Sequence, residues 1–121
     1  MKMLVVDDEA IVLKSCRMVL EAEGCEVISA ASVDEALAIL EQQAPELLLI
    51  DVKMPIHNGM YLMRRVKENR PDIPVILCTG FSEMVDANGA KGLGVREFLM
   101  KPFSVREMAE SIRRALEKKD R

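Results

Sequence analysis

Four short apolar runs, each stopped abruptly by polar residues, constrain this chain more than any other feature. Met3-Leu4-Val5-Val6 stops at Asp7 and Asp8, and Leu47-Leu48-Leu49-Ile50 stops at Asp51. Val75-Ile76-Leu77-Cys78 stops at Thr79, and Phe98-Leu99-Met100 stops at Lys101-Pro102. Runs this short and this continuously apolar read as strands covered on both faces, unlike the alternating pattern of a half-exposed strand. A strand covered twice needs helices above and below it, and the intervening segments supply them.

The first strand is expected over 2–7 and is followed by a helix over 9–23. That helix carries a Val12, Cys16, Val19, Leu20 stripe and stops at Gly24. Cys25 to Ser29 is the second strand. Ser32 opens a second helix, with Glu35 in capping-box spacing; Ala36, Leu37, Ile39 and Leu40 form its buried face, and Pro45 ends it. The third strand is expected over 46–51. A loop follows through Pro55, Asn58 and Gly59, then a helix over 60–69. The fourth strand covers 73–79. A fourth helix, over 83–93, is weakened by Asn88, Gly89 and Gly92. The fifth strand covers 95–100. Ser104 and Glu107 form a second capping box, opening a last helix with a Val105, Met108, Ala109, Ile112, Leu116 stripe. Residues 117–121 are charged and frayed, or begin a linker.

Strands alternating with helices imply a parallel sheet with right-handed crossovers. Five such units give an α/β, three-layer sandwich: five helices on a five-stranded sheet of order 2-1-3-4-5. With 121 residues the chain fits one domain, and no repeat or interior linker divides it. A formal net charge of −3 gives no nucleic-acid or membrane-surface footprint. No apolar run approaches the roughly 20 residues of a membrane span, and no signal peptide opens the sequence. Cys16, Cys25 and Cys78 have no metal-site spacing and read as reduced, mostly buried thiols of a cytoplasmic protein.

In an open parallel sheet, ligands bind beyond the carboxyl ends of the strands. Asp7, Asp8 and Asp51 should meet there, and crowded carboxylates repel unless a cation relieves them. Oxygen-only ligands favour a hard ion such as Mg²⁺, which prefers one or two carboxylates, waters and a phosphate. Asp51 is the candidate nucleophile, since a carboxylate that attacks phosphorus yields an acyl phosphate. Lys101 supplies a compact positive charge, Thr79 a hydroxyl donor, and Gly80 leaves room for the incoming group.

These residues match a known family across essentially the whole chain. Leu4-Val5-Val6-Asp7-Asp8-Glu9, Leu49-Ile50-Asp51-Val52-Lys53-Met54-Pro55, Asn58-Gly59, Cys78-Thr79-Gly80 and Phe98-Leu99-Met100-Lys101-Pro102-Phe103 resemble the receiver domain of two-component response regulators. The resemblance implies a flavodoxin-like (CheY-like) fold and phosphoryl transfer onto Asp51 from a histidine kinase or a histidine phosphotransfer domain. It implies Mg²⁺, with Mn²⁺ able to substitute, held by Asp8, Asp51 and the Lys53 carbonyl, with Asp7 acting through water. It casts Thr79 and Phe98 as the switch pair, Lys101 as the phosphate-binding lysine, and the Lys101–Pro102 bond as cis. The output is a moving face made of the fourth helix, the fifth strand and the last helix, which is also the homodimer face. Such a domain signals to a downstream target or attached domain and is not an enzyme beyond self-catalysed phosphorylation and dephosphorylation. The segments 76–83 and 95–102 look most like receivers attached to hybrid sensor kinases. Phe81, two residues after Thr79, is expected to hinder hydrolysis and lengthen the acyl-phosphate lifetime.

Three rivals remain in view. A phosphatase of the haloacid-dehalogenase type needs an acid two residues after its nucleophile, where this chain has Lys53. A receiver fold kept only for binding usually lacks an acid, the lysine or the acceptor, and none is missing here. A nucleotide or flavin binder needs a glycine-rich loop after the first strand, where Asp7, Asp8 and Glu9 stand. His57, the single histidine, sits in a Pro/Asn/Gly loop with no role in the family pattern.

Overall fold

The computed structural model describes residues 1–54, 58–80 and 95–117. Five strands, β1 (Lys2–Val6), β2 (Glu26–Ala30), β3 (Leu47–Asp51), β4 (Val75–Thr79) and β5 (Glu97–Met100), form one sheet of order β2-β1-β3-β4-β5. All four pairings are parallel. Four helices accompany them among the described residues: α1 (Ala10–Ala22), α2 (Val33–Gln42), α3 (Gly59–Asn69) and α4 (Val105–Glu117). The helix expected over 83–93 lies outside the described residues, as do Phe81, His57 and the tail from 118. No described helix is long and apolar enough to cross a membrane.

The continuous apolar runs become strands because side chains alternate between two faces that are both covered. Leu4, Val6, Leu48, Ile50, Val75 and Leu77 pack with Val33, Ala36 and Leu40 of α2 and Met60, Leu62, Met63 and Val66 of α3. Their neighbours Met3, Val5, Leu47, Leu49, Ile76 and Cys78 pack with Cys16 and Leu20 of α1 and Met108, Ile112 and Ala115 of α4. In β1, β3 and β4 every residue from Met3 to Val6, Leu47 to Ile50 and Val75 to Cys78 is wanted on one face or the other, and polar residues wait for the strand end. The edge strands β2 and β5 instead carry Ser29 and a buried Glu97 paired with Arg114.

The helix boundaries follow local chemistry. At the end of α1, Gly24 takes φ +89, and the Cys25 and Gly24 N–H groups donate to the carbonyls of Leu20 and Glu21. That Schellman arrangement satisfies two orphan carbonyls in a conformation glycine adopts without strain. At α2 the Ser32 hydroxyl accepts from the Glu35 N–H, while the Glu35 carboxylate reaches past the cap to the Ala31 N–H. At α4 the box is reciprocal: Ser104 Oγ accepts from Glu107 N–H at 3.0 Å, and Glu107 accepts from Ser104 N–H at 2.8 Å. Arg70 closes α2 from a distance by donating to the carbonyls of Leu40 and Gln43.

The apolar stripe of α4 differs from the sequence expectation. Met108, Ser111, Ile112 and Ala115 are buried, whereas Ala109 is exposed and Val105 is 58% exposed. The first turn of α4 lies over an open cleft of about 490 Å³ against α1, lined by Ile11, Val12, Phe103 and Val105 among others. Val105 therefore has no sheet beneath it to bury against.

Candidate functional site

Parallel pairing brings the four polar strand ends to one edge. Asp51 lies opposite Cys78, one residue before Thr79, and the Lys101 N–H donates to the Thr79 carbonyl at 2.8 Å as β5 leaves the sheet. Asp7 follows β1, the neighbour of β3 on its other side. Asp7, Asp8 and Asp51 each offer an oxygen within 4.8 Å of the others. Beside them opens a cleft of about 390 Å³ lined by Asp8, Glu9, Asp51, Lys53, Gly80 and Lys101.

Lys101 sits in the middle of the acids. Its Nζ lies 2.9 Å from Asp7 Oδ2, 3.3 Å from Asp51 Oδ1 and 3.6 Å from Glu9 Oε1. Burial alone would push the ammonium down, but its hydrogen bond to Asp7 and the charges of Asp51 and Asp7 outweigh that and hold it well above the usual lysine range. Asp7 is held at both oxygens, because the one not facing Lys101 accepts from the Glu9 N–H at 2.9 Å, and each oxygen keeps a further lone pair.

Asp51 is only 5% exposed. Burial, followed by repulsion from Asp7, lifts its carboxyl from 3.8 to about 6, against the opposing pull of Lys101 and a hydrogen bond from the Lys53 backbone. The acceptor is therefore an anion held in the structure against its own desolvation. Such a carboxylate is short of positive charge, which is the condition under which it gains most from a cation.

The donor set fits a hard divalent ion. It is all oxygen, it includes the exposed Asp8 at the cleft mouth, and it is electrostatically under-compensated. Asp7, Asp8, Glu9 and Asp51 face Lys53 and Lys101 across the site, a formal excess of two negative charges that one such ion neutralises.

The remaining expected site residues are placed as follows. Thr79 is buried, and its hydroxyl donates to the Gly80 carbonyl at 3.0 Å rather than into the cleft. Phe98 is half-buried and packs against the cluster on the α2 and α3 face. The Lys101–Pro102 peptide is cis. Lys53 is exposed, lines the cleft, and bonds Asp51 through its backbone.

Two contributors were missed from sequence. Gly59, read as part of a loop, is the first residue of α3, with the Asn58 side chain capping that helix through the Tyr61 N–H. A Cβ on Gly59 would lie 2.1 Å from the Asp51 carbonyl oxygen, so α3 approaches the acceptor strand as closely as backbone permits. Glu9 was noted only as part of a motif, yet it reaches Lys101. Its position after two acids was visible; its reach across the cleft was not.

The two thiols nearest the site are buried. Burial, then Asp7, pushes Cys16 up to about 11, and burial raises Cys78 as well, so neither is a ready nucleophile.

Residues 3–113 match the family described as the response regulator receiver domain. Over 120 residues the chain is 34% identical to a probable transcriptional regulator, ycf27, of Porphyridium aerugineum, covering 99% of this chain and 50% of that protein. It is 30% identical over 119 residues to the alkaline phosphatase synthesis transcriptional regulatory protein PhoP of Bacillus subtilis, covering 98% of this chain and 50% of that one. The chain thus spans about half the length of these curated relatives. Among solved structures, a response regulator receiver domain protein from Clostridium thermocellum superposes with a TM-score of 0.91 at 33% identity, covering 97% of this chain and 94% of that one. A CheY-like receiver domain protein from Methanospirillum hungatei gives 0.91 at 32% identity, with the same coverage.

Proposed function

The chain belongs to the response regulator receiver domain family, and from that premise we propose that Asp51 accepts a phosphoryl group from a phosphohistidine in two-component signalling. The observation that carries this is the state of Asp51: buried, raised to about 6, and set 3.3 Å from a lysine at the edge of an open acid cleft. In the transfer, an Asp51 oxygen bonds to phosphorus as the P–N bond of the donor breaks. The imidazole leaves with its electron pair, and the product is an aspartyl phosphate. A nucleophilic carboxylate needs no proton removed, so the demands on the protein are placement and charge balance.

Asp8 and Asp51 would hold Mg²⁺ or Mn²⁺, with the Lys53 carbonyl beside them and Asp7 acting through water. When bound, that ion supplies charge neutralisation at the phosphoryl oxygens. Lys101 exchanges part of its carboxylate pairing for the phosphoryl group. Thr79 turns its hydroxyl from the Gly80 carbonyl toward the phosphoryl oxygens, and Phe98 moves into the space released. The face around β5 and α4 then changes, giving the surface read by a downstream domain or by a second copy of the chain. Histidine kinases and histidine phosphotransfer domains are the donors; the chain acts as a signalling module and not as a turnover enzyme.

The test is intact-protein mass after incubation with acetyl phosphate, with and without Mg²⁺, beside Asp51→Asn. One added phosphoryl mass that requires both Mg²⁺ and Asp51 is the expected result. A folded, Mg²⁺-binding protein that gains none from acetyl phosphate or from a phosphorylated histidine kinase overturns the reading.

A further inference from the structure

We infer that Glu9 is a positioning residue of the acid cleft, whose carboxylate restrains Lys101 at rest, draws in the divalent cation, and competes with the incoming phosphoryl group. The inference rests on the phosphoacceptor reading of Asp51.

Glu9 occupies the N-cap of α1, a position that favours Ser, Thr, Asp or Asn because their short side chains bond back to the helix. Glu9 makes no such bond. Its backbone does local work: the carbonyl accepts from Val12 and Leu13, and the N–H donates to Asp7 Oδ1. The side chain, 60% exposed, instead extends into the cleft to 3.6 Å from Lys101 Nζ. Among the described residues this is the carboxylate's one ion pair.

The three acids around Lys101 are not equivalent. Asp51 is the acceptor itself, so its contact with the lysine persists when the group on it changes. Asp7 keeps the Glu9 N–H whatever Lys101 does. Glu9 holds the lysine by charge alone, beyond hydrogen-bond length, and gives it up most readily. A phosphoryl group adds about −1.5 to −2 charge at Asp51 and takes over that lysine.

Glu9 therefore acts with opposite sign on two quantities. Its negative charge favours a divalent cation, and it disfavours both an anionic phosphoryl donor and the release of Lys101. A side chain serving only to start α1 would alter stability and move neither quantity in this paired fashion.

The experiment uses the full chain as wild type, Glu9→Gln and Glu9→Asp. Titration calorimetry gives the Mg²⁺ dissociation constant. Intact mass gives the rate of aspartyl-phosphate formation from acetyl phosphate at saturating Mg²⁺, in low and high KCl. In that transfer the phosphorus–oxygen bond to acetate breaks as the bond to Asp51 forms, and acetate leaves. For Glu9→Gln the dissociation constant and the rate should each rise about two- to five-fold, the scale of an exposed ion pair, and both differences should shrink in high salt. Glu9→Asp keeps the charge but falls short of Lys101, so it should retain cation affinity while its rate rises. Unchanged values for Glu9→Gln, or a rate that falls as affinity falls, overturn the role given to Glu9. A wild type that accepts no phosphoryl group overturns the reading of Asp51, and the competition with it.

Discussion

Replacing Asp51 by Asn should stabilise the metal-free protein, because the structure holds this carboxylate ionised at a cost. Burial and Asp7 raise its folded value from 3.8 to about 6. A difference of about two pH units, at about 1.4 kcal/mol each, corresponds to roughly 3 kcal/mol of destabilisation once the group is fully ionised. Asn approximates the protonated acid in shape, and Lys101 retains Asp7 at 2.9 Å, so most of that cost is recovered. Allowing for imperfect mimicry, Asp51→Asn should gain about 1–3 kcal/mol at pH 7, or about 4–12 °C in Tm for a domain of this size. The pH dependence follows from the direction of the shift. Between about pH 4 and 6 the folded state keeps a proton that the unfolded chain has released, so wild-type stability falls as pH rises through that window. The gap between variant and wild type should accordingly be near zero below pH 4 and full above pH 6. Urea unfolding followed by circular dichroism, in EDTA from pH 4 to 7.5, measures this. Adding Mg²⁺ should narrow the gap at pH 7 by stabilising wild type, by about 2.7 kcal/mol at a hundred times the dissociation constant. A variant no more stable than wild type at pH 7 without metal, or a gap that persists at pH 4, would refute the account of Asp51.

Two further substitutions probe what surrounds the site. Ser111 Oγ is fully buried in α4 with no hydrogen-bond partner among the described residues, so Ser111→Ala should stabilise by about 1–2 kcal/mol, read as a higher urea midpoint with an unchanged slope. Gly59→Ala places a methyl 2.1 Å from the Asp51 carbonyl oxygen and 2.8 Å from its carbon, both backbone atoms. It should cost about 3 kcal/mol or more in stability by overpacking and slow acceptor phosphorylation as β3 shifts, seen by thermal melting and intact mass.

The elements were legible where a local rule decides them. Continuous apolar runs marked four of the five strands at nearly their observed bounds, while β2, with Glu26 and Ser29 in it, was read from its place between two helices. Ser32 and Ser104 opened helices because a capping side chain acts within three residues of its own position. The stripe of α4 was less legible: periodicity put Val105 and Ala109 on the buried face, yet what a helical turn buries depends on what lies beneath it. Gly59 carried no sequence mark separating a turn glycine from one pressed against another strand.

Sequence by itself determined that acids, a threonine and a lysine end parallel strands, because the strands follow from which residues tolerate burial and their order from the usual winding of an alternating α/β chain. Tertiary structure decided what those residues are at rest. It set Asp51 near 6, bonded Asp7 at both oxygens, turned the Thr79 hydroxyl to Gly80, and gave Lys101 three acids, one of them Glu9. Protonation, ion pairing and rotamer depend on through-space distances of about 3–4 Å and on lost water, and these exist only once residues 7, 51 and 101 are brought together.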